Sequence, residues 1–172
     1  KHMAHGNKWR LSYLVIAVSI FALDRVTKAA ISSGMPLHTS ENIIPGFFDL
    51  VHARNTGVAF SMFSDASPFV KSFLIPLFSA AAVVMVLVLL WKSDPAARRL
   101  RYALVVILSG AAGNLYERAV YGYVVDFLDV YVGTYHWPAF NVADSAITIG
   151  AGLLLLDSVR GAAEEPETQR SS

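Results

Sequence analysis

The chain has 172 residues, of which 55% are apolar and only 16% charged, and it contains no cysteine. Its mean hydropathy of +0.48 leaves too little polar surface to cover a soluble globule of this size. The lack of cysteine excludes thiol catalysis, disulfides and thiolate metal sites. The net charge of +1 says little about partners, because the distribution of charge matters more than the sum. No basic patch interleaved with aromatic residues suggests a nucleic-acid partner.

Four apolar segments follow one another along the chain and predict four transmembrane helices. A bilayer core about 30 Å thick needs roughly 20 helical residues, so the second and fourth segments suffice alone and the others need their flanks. Lys8 and Arg10 before the first segment resemble the start of a cleaved signal peptide. Asp24 and Arg25 follow it instead of a small-x-small cleavage site, so we expect a retained anchor. The predicted helices are residues 10–31, 69–91, 101–121 and 137–158.

The loop between the second and third helices sets the predicted orientation, because it holds Lys92, Arg98, Arg99 and Arg101. Short basic loops stay on the cytoplasmic side, so both termini are expected there as well. Two segments then remain on the outer side, about residues 32–68 and 122–136.

The outer segments contain strand-like patterns. A run at 47–53 is followed by a predicted turn at 54–57, and apolar residues alternate at 58–63 and again at 124–131. The fold class is therefore a mainly α membrane protein in one domain, 1–172: a four-transmembrane-helix bundle with a small strand-containing extracytoplasmic platform. Aromatic residues are expected to form an interfacial belt, and the polar tail 161–172 is expected to be disordered. The belt residues are Phe47, Phe48, Tyr121, Tyr123, Tyr131, Tyr135 and Trp137.

Two aspartates, Asp126 and Asp144, lie beside apolar runs at the same predicted level, near the outer surface. Two carboxyl groups in a poorly solvated site cannot both ionise cheaply, so one keeps a proton while the other can accept one from an attacking water. Such a pair is suited to peptide hydrolysis. The alternative is that Asp144, or Asn141 three residues earlier, caps the fourth helix and that Asp126 is a solvated loop residue.

Other polar residues gather at the same level. Asn114 and Arg118 are four residues apart and share a helix face, where Arg118 can hold a carboxylate or a lipid phosphate or can extend to the interface. Asp24 and Lys28 form another such pair, interpreted as an ion pair near the end of the first helix. Two further charged residues at this level, Glu117 and Asp129, are predicted to be solvated.

Two other kinds of site are considered and set aside. Ser109-Gly110 faintly resembles part of a Gly-x-Ser-Gly motif, but no transmembrane segment carries a mid-membrane histidine to activate the serine. His38, His52 and His136 lack metal-site spacing. We therefore expect neither a metal nor a cofactor.

Five blocks of the sequence resemble signal peptidase II, the bacterial prolipoprotein signal peptidase family. They run in family order from the first helix to the fourth and are specific as a set. The blocks are residues 24–28 (Asp-Arg-Val-Thr-Lys), 54–60 (Arg-Asn-Thr-Gly-Val-Ala-Phe), 110–118 (Gly-Ala-Ala-Gly-Asn-Leu-Tyr-Glu-Arg), 122–127 (Gly-Tyr-Val-Val-Asp-Phe) and 140–146 (Phe-Asn-Val-Ala-Asp-Ser-Ala).

The resemblance implies an aspartyl endopeptidase of the bacterial inner membrane. Its implied substrate is a prolipoprotein whose lipobox cysteine already bears a diacylglyceryl group, cut immediately before that cysteine. The implied partners are this substrate and membrane lipids, with no nucleic acid, and we expect a monomer. The implied catalytic dyad is Asp126 and Asp144.

The resemblance also implies roles for the residues around the dyad. Asp24 and Lys28 are implied structural supports of the site, and Glu117 stands where the family more often has aspartate. The residues implied to position substrate or support the dyad are Asn55, Gly57, Asn114, Arg118 and Asn141.

Two functions from other classes remain as alternatives. Four helices with intramembrane carboxylates would also suit a small proton-coupled transporter. Against this, the acids lie at one face instead of the midplane and no inverted repeat is visible. The other alternative is a non-catalytic membrane scaffold that uses the platform for protein contacts.

Overall fold

The computed structural model describes residues 3–57 and 67–164, with side chains for 10–57 and 67–160. Within these residues the chain forms four α-helices and four β-strands. The helices are α1 (Met3–Gly34), α2 (Ile75–Lys92), α3 (Arg98–Tyr121) and α4 (Val142–Glu164). The strands are β1 (Ser40–Ile44), β2 (Phe48–Asn55), β3 (Val124–Val132) and β4 (Tyr135–His136). A short π-helix, Val70–Leu74, leads into α2.

Helix α3 is the centre of the helical part, because it packs against α4, α1 and α2. Its contact with α4 is the most extensive, and small residues make it close. A Cβ atom at Gly150 would lie 2.9 Å from the carbonyl oxygen of Ala103, and one at Gly110 would overlap the carbonyl oxygen of Ala143. This close approach brings polar side chains of α3 to the first turn of α4.

Two helical segments are long and apolar enough to cross a membrane. They are Val70–Lys92 and Val142–Arg160, with mean hydropathies of 2.8 and 1.5. Only 11% and 17% of their apolar windows are buried inside the protein, so their side chains point mostly outward. The prediction of four spans stays a prediction, since α1 and α3 carry more charge.

The four strands form an antiparallel sheet in the order β1-β2-β3-β4. An irregularity in β2 separates its pairs with β3, so that Leu50 lies opposite Leu128 and Ala53 lies opposite Asp126. Further along, Asn55 lies opposite Val124. The sheet therefore holds Asn55 and Asp126 on adjacent strands.

A small hydrophobic cluster joins the end of α1 to the sheet. Its buried members are Ile31 and Met35 from α1 and Val125 and Phe127 from β3. Burial of these side chains fixes the sheet against the helices at the end of the bundle where Asp126 lies.

The fourth helix begins later than predicted, at Val142 instead of residue 137. Pro138 disfavours helical geometry at the preceding residue, and the backbone N–H of Trp137 instead donates to the carbonyl of Val130 at 2.8 Å. The first helix is longer than predicted and runs on to Gly34.

The two segments that were predicted to contain strands do contain them, but the number and the bounds of the strands differ from the prediction. The strand at 124–131 is confirmed, whereas β1 and β4 were missed. The predicted turn at 54–57 was wrong at Arg54, because β2 continues to Asn55, whose side chain then accepts the N–H of Gly57 at 2.9 Å. The predicted alternation at 58–63 lies outside the described residues.

The tail prediction was wrong in part, since α4 continues to Glu164. The rest of that segment, 165–172, lies outside the described residues.

Candidate active site

Asn141 links the two aspartates. Its side-chain Nδ2 donates to Oδ1 of Asp126 at 2.7 Å, and its backbone N–H donates to Oδ2 of Asp144 at 3.3 Å. In return, the backbone N–H of Asp144 donates to Oδ1 of Asn141 at 2.9 Å. This reciprocal pattern is a capping box with Asn141 as the N-cap and Asp144 three residues later. Asp144 thus helps to begin α4 while its carboxylate contacts the same residue as that of Asp126.

Asp126 is a buried strand residue and not a solvated loop residue. Only 3% of its surface is exposed, and its Oδ2 accepts a hydrogen bond from Nδ2 of Asn55 at 3.0 Å. Burial, reinforced by the charge of Asp144, raises the pKa of Asp126 to about 7, although the bonds from Asn55 and Asn141 oppose this. The group can therefore hold a proton near neutral pH.

Asp144 is held from α3. Nδ2 of Asn114 donates to Oδ1 of Asp144 at 2.8 Å. The orientation of this amide is determined on its other side, where Oδ1 of Asn114 accepts from the ammonium of Lys28 at 2.9 Å. Since an ammonium can only donate, the amide must present its NH₂ group to Asp144.

Four charged side chains form a buried network beside this amide. Lys28 lies 3.0 Å from Oδ2 of Asp24 and 3.0 Å from Oε2 of Glu117, and Arg25 lies 2.7 Å from Oε1 of Glu117. The other oxygen of Asp24 accepts the backbone N–H of Ala143 at 3.0 Å, which ties α1 to the first turn of α4. The prediction that Glu117 is solvated was wrong, since only 1% of it is exposed.

Arg118 connects α3 to the chain that leaves β2. Its Nη2 donates to the carbonyl of Gly57 at 3.2 Å. Its Nε is buried and has no hydrogen-bond partner in the part of the chain that the structure describes. Arg118 therefore presents a donor at the edge of the site that substrate atoms can use.

A cavity of about 480 Å³ opens beside the two aspartates. Asp126 and Asp144 lie at one side with Asn55 and Arg118, and the remaining wall is largely apolar and comes from α4, the segment before it and the start of β3. The apolar and hydroxyl residues of that wall are Val124, Trp137, Pro138, Ala139, Phe140, Ser145, Ile147, Thr148 and Ile149.

The other residues considered in the sequence lie elsewhere. Ser109 donates its hydroxyl to the carbonyl of Val105 at 2.6 Å within α3. Nδ1 of His52 is 2.8 Å from the carbonyl of Met35, and His136 pairs with Asp129 at 2.8 Å. Among the side chains that the structure describes, those of residues 10–57 and 67–160, no three His, Asp or Glu form a group that could hold a metal.

The sequence did not indicate that Arg25 belongs to this network, and Glu117 was wrongly predicted to be solvated. A signal for Glu117 was present, because it is three residues after Asn114 and therefore on the same face of α3. A glutamate on the face that carries a site asparagine is more easily buried than one on the opposite face. Its partners could not be read from α3, since Arg25 and Lys28 belong to α1.

Two solved structures have a similar fold. The fold is similar to that of a bacterial membrane enzyme solved by the in meso method, with a TM-score of 0.78, 28% identity, and coverage of 91% of this chain and 92% of that chain. A second in meso structure of a bacterial membrane enzyme gives a TM-score of 0.76, with 28% identity over 85% of this chain and 91% of the other. The chain is therefore an integral membrane protein with the fold of a bacterial membrane enzyme.

Sequence comparison identifies the family. The model for signal peptidase (SPase) II matches residues 16–160. The lipoprotein signal peptidase of Desulforapulum autotrophicum is 47% identical over 136 residues, 79% of this chain and 84% of that protein. That of Solibacter usitatus is 43% identical over 145 residues, 84% of this chain and 88% of the relative.

The chain belongs to the signal peptidase II family, as the five sequence blocks predicted. It is accordingly a peptidase, a hydrolase, that acts in removing signal peptides from prolipoproteins. The transporter alternative is not favoured by any of these matches.

Proposed function

We propose that this protein is an aspartic endopeptidase that cuts diacylglyceryl-modified prolipoproteins immediately before the lipidated cysteine, with Asp126 and Asp144 as its catalytic dyad. The observation that carries the proposal is the pair of hydrogen bonds from Asn141 to both carboxylates, at 2.7 and 3.3 Å, beside an open cavity. Two carboxyl groups that share one donor residue beside a cavity support a common role in general acid–base catalysis.

The raised pKa of Asp126 supports a dyad that holds one proton at neutral pH. Ionised Asp144 takes a proton from a water molecule as the water oxygen attacks the peptide carbonyl carbon. The acid proton on Asp126 hydrogen-bonds the developing oxyanion. As the C–N bond breaks, a proton passes from the dyad to the leaving nitrogen, which gives a carboxylic acid and an amine.

Arg118 and Asn55 position the substrate in this proposal. The Nε of Arg118 is buried near the cavity and offers a charged donor to a substrate carbonyl or to the oxyanion. Asn55 holds Asp126 and, through the N–H of Gly57, the chain beside it. The two residues thus align the peptide with the dyad.

The apolar lining of the cavity suits a lipid-linked substrate. The apolar cavity wall of α4 continues into a helix apolar enough to cross a membrane, so acyl chains and a signal helix can approach from hydrocarbon. We further propose that the single domain crosses the bacterial inner membrane four times as a monomer, with both termini cytoplasmic and the dyad near the outer face.

The test replaces each aspartate in turn. Asp126→Asn and Asp144→Asn should each lower kcat for a purified diacylglyceryl precursor by at least about 10²- to 10⁴-fold, because neither variant can both accept and donate the proton. Asp129→Asn, on the same strand but paired with His136, is the matched control and should cleave normally. Normal cleavage by both dyad variants would refute the proposal.

A further inference from the structure

Glu117 is a buried acid whose contacts reach both aspartate-bearing elements. Its Oε2 accepts the backbone N–H of Val125, the residue before Asp126, at 3.1 Å. The same oxygen lies 3.0 Å from Nζ of Lys28, which donates to Asn114 at 2.9 Å. Asn114 in turn donates to Asp144 at 2.8 Å. One oxygen atom is thus one bond from the strand of Asp126 and three bonds from Asp144.

The two oxygens of Glu117 have different partners. Oε1 pairs with Arg25 at 2.7 Å, and the guanidinium of Arg25 also lies 4.9 Å from the ring centre of Tyr116. Arg25 is partly exposed, with 23% of its side chain open, whereas Lys28 is 1% open. Arg25 therefore anchors the outer oxygen and leaves the inner oxygen directed at the site.

We propose that Glu117 is a positioning residue for the dyad: its carboxylate sets the distance between β3 and the Asn114 amide, and so the alignment of Asp126 with Asp144. This inference rests on the proposed function. Glu117 does not touch the cavity and therefore acts only through Val125, Lys28 and Asn114.

A carboxylate is required at this point because all three of its neighbours donate. Arg25, Lys28 and the N–H of Val125 each need an acceptor, and a glutamine amide would place its NH₂ group against one of them. Loss of the negative charge also weakens one of the three contacts that hold the Lys28 ammonium, so that its bond to Asn114 is less well fixed. Either change displaces the dyad, and a misplacement of about 1 Å can lower a rate 100-fold.

The first experiment compares Glu117→Gln with Glu117→Asp. The glutamine variant should lower kcat about 10- to 100-fold with KM changed less than about twofold, since the substrate cavity is untouched. The aspartate variant keeps the charge and should retain kcat within about fivefold. Glu41→Gln, an exposed residue of β1, is the matched control and should equal the parent.

The pH profile separates positioning from simple destabilisation. Removing a negative charge near the dyad favours its ionised form, so the alkaline limb of kcat should move to lower pH in Glu117→Gln. A variant that is only less stable would keep the limb where it is. The charged groups that belong to or adjoin the contact network of Glu117 are Asp24, Arg25 and Lys28 of α1, Arg118 of α3, Asp126 of β3 and Asp144 of α4.

A charge-balanced variant keeps the test decisive if Glu117→Gln does not fold. Arg25→Met with Glu117→Gln removes one charge of each sign, and Arg25→Met alone is its control. The double variant should show the same loss of kcat, while Arg25→Met stays within about twofold of the parent. Parental kcat in the double variant, or an equal loss in Arg25→Met alone, would overturn the inference.

The same assay includes Asp144→Asn, so that two failures can be told apart. If Asp144→Asn cleaves normally, the dyad itself is wrong. If it is inactive while Glu117→Gln keeps both its kcat and its alkaline limb, the dyad stands and the positioning role of Glu117 is wrong.

Discussion

Two pairs of acids lie side by side in this protein, and their surroundings differ. Asp24, Glu117 and Asp126 are buried, and Asp144 is partly buried. Asp24 and Glu117 are matched by two cations, Lys28 and Arg25, at 2.7 to 3.0 Å. Asp126 and Asp144 form no such ion pair with any residue that the structure describes, and their close hydrogen-bond donors are asparagine side chains and backbone N–H groups. The first pair lies inside the bundle, whereas the second borders an open cavity.

This difference distinguishes the acids that stabilise the fold from the acids that can take part in catalysis. Removing either partner of a buried ion pair leaves an uncompensated charge in the interior. A buried carboxyl group without a close cation ionises less readily: burial and the charge of Asp144 raise the pKa of Asp126 to about 7, so it can exchange protons near neutral pH. Charge compensation thus indicates which acids hold the fold together and which can react.

The largest expected effect is on stability. Lys28→Met leaves Asp24 and Glu117 facing each other without their shared cation, so it should lower the free energy of unfolding by about 3–5 kcal/mol. The measurement is the thermal unfolding midpoint in detergent at pH 8.

Asp126→Asn is the contrasting variant in the same measurement. Because the pKa of Asp126 is raised from 3.8 to about 7, its contribution to stability is complete below pH 3.8 and is lost as the pH rises to about 7. At pH 8 this variant should therefore unfold no earlier than the parent. A loss equal to that of Lys28→Met would remove the distinction between the two pairs.

A smaller effect is expected from replacing Asn114, whose side-chain amide joins Lys28 to Asp144. Asn114→Ala removes both the acceptor of Lys28 and the donor to Asp144, so kcat should fall about 10- to 100-fold. Steady-state kinetics on the lipidated precursor give the value. Asn42→Ala on the platform is a suitable control. Unchanged kcat would mean that Asp144 needs no support from α3.

The smallest effect is a change in pH dependence. If the dyad works with one proton, kcat should fall as the pH rises through about 7, where Asp126 loses its proton. KM measured at each pH controls for substrate binding. A rate that stays constant from pH 6 to pH 9 would contradict a proton held by the dyad.

Local patterns were enough to find much of this molecule. The apolar runs predicted the four helices, and the alternation at 124–131 predicted β3. Pro138 and Asn141 mark the place where α4 begins. The irregularity in β2 and the short edge strand β1 could not be found this way. Both depend on pairing with strands distant in sequence, which period-two alternation does not specify.

Some residues of the site could likewise be predicted from the sequence and others could not. Asp126 and Asp144 could be chosen from the sequence, because carboxylates beside apolar runs need a reason to be there. Glu117 was misjudged, because a glutamate near a helix end is ordinarily solvated.

The sequence by itself determined the membrane class, the family and the two candidate catalytic acids, since these follow from composition, periodicity and short motifs. Only the tertiary structure decided which acids are compensated. Lys28 and Asn114 are 86 residues apart, and Asp24 and Ala143 are 119 apart. Such partners meet only where α1, α3 and α4 pack closely, and the free energy of a buried charge depends on those neighbours more than on its own segment of the chain.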